Sequence, residues 1–214
     1  MSDTVATPFS GRDLELELLD PDGERLVRLF HHPGGDWEPP SVEYRNLRVD
    51  PPAGHKGRFA VLYTGNTLPT VAIECGILRA DIGDRYTWAT DLADQYRVAR
   101  YSFSAPGLFI PIDGRNRNVL GLAGGQRRFA GYEPYQVVSL QLFERFGTVI
   151  HGLSWESFHR NQPGRVFALW HHHKATIGLS IAAPQPSPKL ADDSEWLAFL
   201  AANPQVEPMS PAPR

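Results

Sequence analysis

Proline and glycine decide where this chain can hold regular structure. Of its 214 residues, 19 are proline and 19 are glycine. They crowd into "PGGDWEPPSVEYRNLRVDPPAG" (residues 33–54) and into residues 183–214. Proline lacks an amide donor and glycine lacks a side chain, so such clusters punctuate helices and strands alike. The first reads as a long loop, and a loop of that length in a compact domain is commonly functional. The second reads as a proline-rich tail with one short helix, capped at Asp192 or Asp193 and carrying Trp196, Leu197, Phe199 and Leu200. The last residues of that tail are expected to be disordered. The aromatic surface of its helix must pack on the domain, on a second copy of the chain or on a partner. The resulting division is a lead-in over 1–24, a domain over 25–182 and a tail over 183–214.

Between the clusters the pattern is mixed. "RLVRLF" (25–30) and "FAVLYT" (59–64) have the aliphatic and aromatic character of strands. Thr67 is an N-cap and Pro69 suits a first turn, which predicts a helix running on toward residue 79, with Gly76 weakening its interior. "RVARYSFS" and "LFIPID" read as strands joined by the turn "APG". "QVVSLQLFERFG" reads as a helix ending with Gly147 at the usual C′ position. "VIHGLSW" and "RVFALW" read as strands flanking the turn signal "NQPG". Strands outnumber helices and do not alternate strictly with them, which predicts an α+β fold rather than a doubly wound parallel sheet.

Bulk properties exclude several function classes. A net charge of −3 and a pI near 6.2 supply no basic stripe for nucleic acid or an anionic membrane. No run of about 18 apolar residues is present to span a bilayer. The single cysteine, Cys75, excludes an intrachain disulfide, and the start lacks the n- and h-regions of a secretory signal, so a cytoplasmic location is expected.

One residue stands out against its surroundings. On a helical wheel over 68–79, Glu74 falls between Leu78 and Ile77 and is expected to face protein rather than solvent. A carboxylate placed there needs donors or a cation. Arg58 and Arg28, both beside expected strands, are the candidates. The residues themselves leave open whether this is a buried structural ion pair or a reactive acid.

The ordered series of segments resembles a RES domain, the family named for an arginine, a glutamate and a serine. "LVRLFHHP" is similar to its early arginine-bearing strand, and "GRFAVLYTG" to its GRF or GRW segment running into a tyrosine. "TLPTVAIE" resembles the helix ending in the family glutamate. "QVVSLQLFERFGTVIHGLSWESFHRNQPGRVFALW" resembles the later helix, serine and closing strand. The resemblance spans about residues 25–175 and falls on Arg28, Arg58, Tyr63, Glu74 and Ser157, with Arg45 and Arg48 as competitors to Arg28. It implies an ADP-ribosyltransferase-like fold around an NAD cleft, with NAD as substrate and no metal. The implied reaction is cleavage of the nicotinamide–ribose bond by a glycohydrolase or phosphorylase, commonly a toxin restrained by a helix-turn-helix antitoxin. Glu74 would then stabilise the ribosyl cation, Arg58 and Arg28 would hold the pyrophosphate, Tyr63 would stack or donate a hydroxyl, and Ser157 would orient the glutamate or the ribose. Two alternatives stay open. One is transfer of ADP-ribose to a macromolecule. The other is a non-catalytic NAD-binding module, kept alive by Ala60 where the family has asparagine.

Three other signals are set aside. "HHH" (171–173), expected at a strand end, would put at most His171 and His173 on one face, short of a zinc set. "GLAGGQRRF" (121–129) lacks the framing of a dinucleotide or P-loop motif and reads as a loop at the cleft rim. "GLSWES" lacks the second glycine of a nucleophile elbow, and Trp155, Phe158, Phe167 and Trp170 read as core.

Overall fold

The computed structural model describes residues 13–80, 86–122, 131–157, 164–182 and 186–209. The fold is α+β. Its larger sheet has eight strands: β1 (Glu17–Leu19), β2 (Leu26–Phe30), β3 (Val61–Gly65), β6 (Arg97–Ser102), β7 (Gly107–Pro111), β8 (Gly152–Glu156), β9 (Arg165–Trp170) and β10 (Ser180–Ala182). Their order is β1-β7-β8-β9-β3-β2-β6-β10, antiparallel throughout except for β7 against β8. The smaller sheet places β5 (Tyr86–Ala89) between β4 (Leu78–Ala80) and β11 (Val206–Met209).

The central strands β2, β3 and β9 are apolar on both faces, which is the sequence reason they sit mid-sheet. On one side, helix α4 (Glu133–Phe146) sends Val138 and Leu142 onto Phe59, Ile110, Leu153 and Trp170. On the other, Leu26, Leu62, Tyr101, Phe109 and Phe167 form a second core. A third core joins helix α1 (Leu68–Glu74) to helix α2 (Thr90–Gln95), helix α5 (Ser194–Ala202) and the small sheet. Helix α3 (Gly114–Val119) follows β7.

Several sequence expectations need correction. Helix α1 stops at Glu74 instead of continuing to residue 79. Gly76 has φ of 67°, its amide bonds to Ile73 O, and Ile77 N bonds to Ala72 O, the paired bonds of a Schellman end. Gly76 is therefore the terminator, and Leu78 begins a strand. Gly147 is also not left-handed, with φ of −63°. Glycine is required there because a Cβ would lie 2.4 Å from Phe143 O. The lead-in contributes an edge strand, β1. The tail is no appendage: Asp193 caps α5, Trp196 is fully buried against the α1 core, and β11 completes the small sheet. Residues 171–173 form a 3-10 turn, not a strand end. "NQPG" up to Pro163 and most of "GLAGGQRRF" (123–129) lie outside the described residues, as does Phe158.

Candidate active site

Helix α1 is set by its own ends. Thr67 Oγ1 accepts from Thr70 N at 3.2 Å, and Pro69 occupies the first turn. The helix lies close to the sheet because two facing positions are glycine. A Cβ on Gly65 would lie 2.8 Å from Val71 Cγ1, and one on Gly164 only 1.9 Å from Thr70 Oγ1. The last helical residue, Glu74, opens into a shallow cleft between α1, the loop at 47–50 and the start of α4, about 520 Å³ with the adjoining solvent included.

The cleft brings together Glu74, Arg48, Tyr63, Tyr132 and Trp155, with Leu29, Val71 and Val166 as apolar wall. Glu74 is exposed at this mouth, which corrects the expectation that it faces only protein. It is nevertheless crowded by protein atoms. That crowding raises its carboxyl pKa, partly opposed by the charge of Arg48 and by the Trp155 and Ser157 side chains. The negative end of α1 disfavours the carboxylate further. Trp155 Nε1 and Ser157 Oγ are buried donors on the Glu74 side, and neither closes a hydrogen bond among the described residues.

Arg48 is held among aromatic rings, its guanidinium carbon 5.4 Å from the Trp155 ring centre, 5.6 Å from Tyr135 and 5.8 Å from Tyr132. Its loop is fastened from two sides. Ser139 Oγ and Gln136 Nε2 on α4 donate to Val49 O and Leu47 O at 2.8 and 2.9 Å. Val49 N donates to the Tyr63 hydroxyl at 3.2 Å, and the buried Asp50 carboxylate accepts from Leu47 N at 2.8 Å. Burial raises the Asp50 carboxyl pKa, with Leu47 N and the Tyr63 hydroxyl opposing. Burial likewise drives the Tyr63 phenol well up, with the Asp50 charge adding to it.

The expected arginines are elsewhere. Arg28 is buried beneath the sheet face, where Nε donates to Gly35 O at 2.8 Å and Nη1 to Tyr63 O at 3.2 Å. Arg58 is exposed and pairs with Glu144 at 3.1 Å. It sits in a bend before β3, its amide bonded to His55 O, and does not line the cleft. Arg45 is spent on the carbonyls of Pro40, Lys56 and Phe59. Of the arginines weighed from the sequence, Arg48 is the one lining the cleft. Trp155 belongs both to the core and to the cleft, and the role of Tyr132 was not legible beforehand.

Cys75 also lines the cleft, and burial pushes its thiol up to about 12, which leaves it a poor nucleophile. Among the described residues no group of three histidine, cysteine or acidic side chains is placed to hold a metal. His172 and His173 instead both donate from Nε2 to Gly147 O. Among the described residues no helix is long and apolar enough to cross a membrane.

No family model and no curated protein matches the chain. A chain of the crystal structure of the M. tuberculosis MbcT–MbcA toxin–antitoxin complex is similar at a TM-score of 0.47 and 13% identity. The match covers 78% of this chain and 85% of that one. A likeness of that size assigns neither family nor activity.

Proposed function

We propose that this chain breaks the nicotinamide–ribose bond of NAD, as a toxin restrained by an antitoxin partner, on an ADP-ribosyltransferase-like scaffold. The observation that carries this reading is a single cleft holding an accessible acid, Glu74, opposite an aromatic-caged arginine, Arg48. Neither Arg28 nor Arg58 is bonded to that acid, since both are engaged elsewhere. The resemblance of the motifs around Glu74 and Ser157 to RES domains supports the same reading.

The chemistry suits the arrangement. When the C1′–N bond breaks, its electron pair passes to the pyridinium nitrogen and positive charge develops on the ribose. A carboxylate already aimed at that charge lowers the barrier, and such preorganised electrostatics are usually the largest catalytic term. The cationic nucleotide also offsets the burial that raises the Glu74 pKa. Arg48 would take pyrophosphate oxygens, a task the resemblance gave to Arg28 and Arg58. Ser157 and Trp155 would donate to the carboxylate or to a ribose hydroxyl. Water or phosphate then adds to C1′, and a proton is released to solvent.

The test is to follow NAD by nuclear magnetic resonance in phosphate and phosphate-free buffers, with Glu74→Gln alongside. Nicotinamide release that is lost in the variant supports the proposal, and phosphate dependence identifies the acceptor. Release only after a protein substrate is added would make the chain a transferase. Binding of NAD without release would make it a non-catalytic module.

A further inference from the structure

A second cavity lies between the turn after β2 and the segment leading to α5, and shares no lining residue with the cleft. It is an open pocket of about 760 Å³, adjoining solvent included, with apolar walls at Phe30, Pro33 and Pro186. Two opposite charges line it, Arg97 and Asp36, and among the described residues they do not pair with each other. Each is held by its backbone or by a neighbour. Arg97 Nη1 donates to Ser187 O at 2.8 Å. The Tyr101 hydroxyl donates to Asp36 O, and Arg28 Nε donates to the adjoining Gly35 O. Ser187 is 3% exposed, and its hydroxyl meets no partner among the described residues.

We infer that this cavity is a binding site for a small zwitterion, an α-amino acid with an apolar side chain. A lone anion there would meet the Asp36 carboxylate, and a lone cation would meet the Arg97 guanidinium. A ligand carrying both charges satisfies both walls at once. The guanidinium takes the carboxylate in forked geometry, and Asp36 takes the ammonium. Phe30 and the two prolines remove the side chain from water. The Arg97 guanidinium is held by Ser187 O before the ligand arrives, which lowers the ordering cost on that side of the site.

Isothermal titration of the full chain with L-leucine, N-acetyl-L-leucine and L-leucinamide tests this. Leucine should bind with a dissociation constant of about 1 mM or tighter, and each analogue, lacking one charge, about tenfold more weakly or worse. Arg97→Gln and Asp36→Asn should each weaken leucine by a similar factor, with melting temperatures confirming that both variants fold. Glu74→Gln should leave leucine binding unchanged, which separates this site from the cleft. Equal binding of leucine and either analogue overturns the inference, as does no binding at about 10 mM. Loss of leucine binding in Glu74→Gln overturns it too.

Discussion

The amide of Val49 donates to the hydroxyl of Tyr63 at 3.2 Å, tying the loop that carries Arg48 to the strand beneath the cleft. Under the proposed function, Tyr63 acts on substrate through Arg48. Tyr63→Phe should raise KM for NAD by about tenfold while kcat stays within about threefold, because ground and transition states lose the same phosphate contact. It should also cost about 1–2 kcal/mol, since Asp50 stays buried without its phenol partner. Steady-state kinetics and thermal unfolding read both. A fall in kcat at constant KM would instead place Tyr63 at the reacting atoms.

Glu74→Gln should lose at least about 100-fold in kcat, the scale of removing one preorganised electrostatic group. Its stability should move the other way. A carboxyl whose folded pKa is raised contributes stability that is present at low pH and lost as pH rises through the folded pKa. At pH 7 the variant should melt at or above the wild-type temperature, and the two should converge under acid conditions. A clear drop in melting temperature would identify Glu74 as a structural partner only.

Arg58→Ala should change NAD cleavage by less than about threefold and stability by less than about 1 kcal/mol, because the Glu144 pair is exposed on both sides. Arg48→Gln should raise KM strongly. The reverse pattern, with Arg58 essential and Arg48 dispensable, would return the phosphate role to the arginine that the motif resemblance selects.

Much of the frame was legible from residues alone. The strands at 26–30, 61–65 and 165–170 show their apolar character directly, and Thr67 and Asp193 cap the helices where the caps are written. The end of α1 was legible too, because Gly76 stands at a C′ position, but the wheel carried the helix past it. Arg48 could not be separated from its neighbours. Its place depends on Ser139, Gln136 and Tyr63 holding one loop, contacts made across long stretches of chain. The integration of residues 186–209 was equally hidden. Proline content there is high, and it is the burial of Trp196 and the charge of Asp193 that bring the segment home.

Asp193 is 3% exposed and caps α5 while both its oxygens accept from Arg100, each at 2.8 Å. Burial raises its carboxyl pKa, but the Arg100 bonds outweigh that and hold it below the ordinary range. Its contribution is present above the unfolded carboxyl pKa and is lost as pH falls through the folded value. Asp193→Asn should cost about 3 kcal/mol at pH 7, at the low end for a broken buried pair because Glu195 still faces Arg100. That is a melting-temperature drop of about 6–12 °C, shrinking toward acid pH. An unshifted melting curve would show that the segment is only loosely docked.

Burial, with neighbouring imidazoles, lowers the pKa of His151 and His173, whose rings stand 4.9 Å apart. A depressed histidine contributes stability at neutral pH that is lost as pH falls from about 6.5 toward the folded values. The melting temperature should therefore fall between about pH 7 and pH 5, and His151→Gln with His173→Gln should flatten that slope. A slope unchanged in the double variant would assign the acid sensitivity to other groups, His32 and His171 among them, whose pKa values burial also lowers.

The helix that ends in Glu74 packs against Trp196 and Val206, residues that the ribosome adds late. While the chain is still being synthesised, the acid-bearing helix has the large sheet on one side but lacks the packing that α5 and the small sheet supply. If the proposed cleavage holds, a growing polypeptide would stay inert toward the nucleotide pool around it until translation has passed the small sheet's last strand.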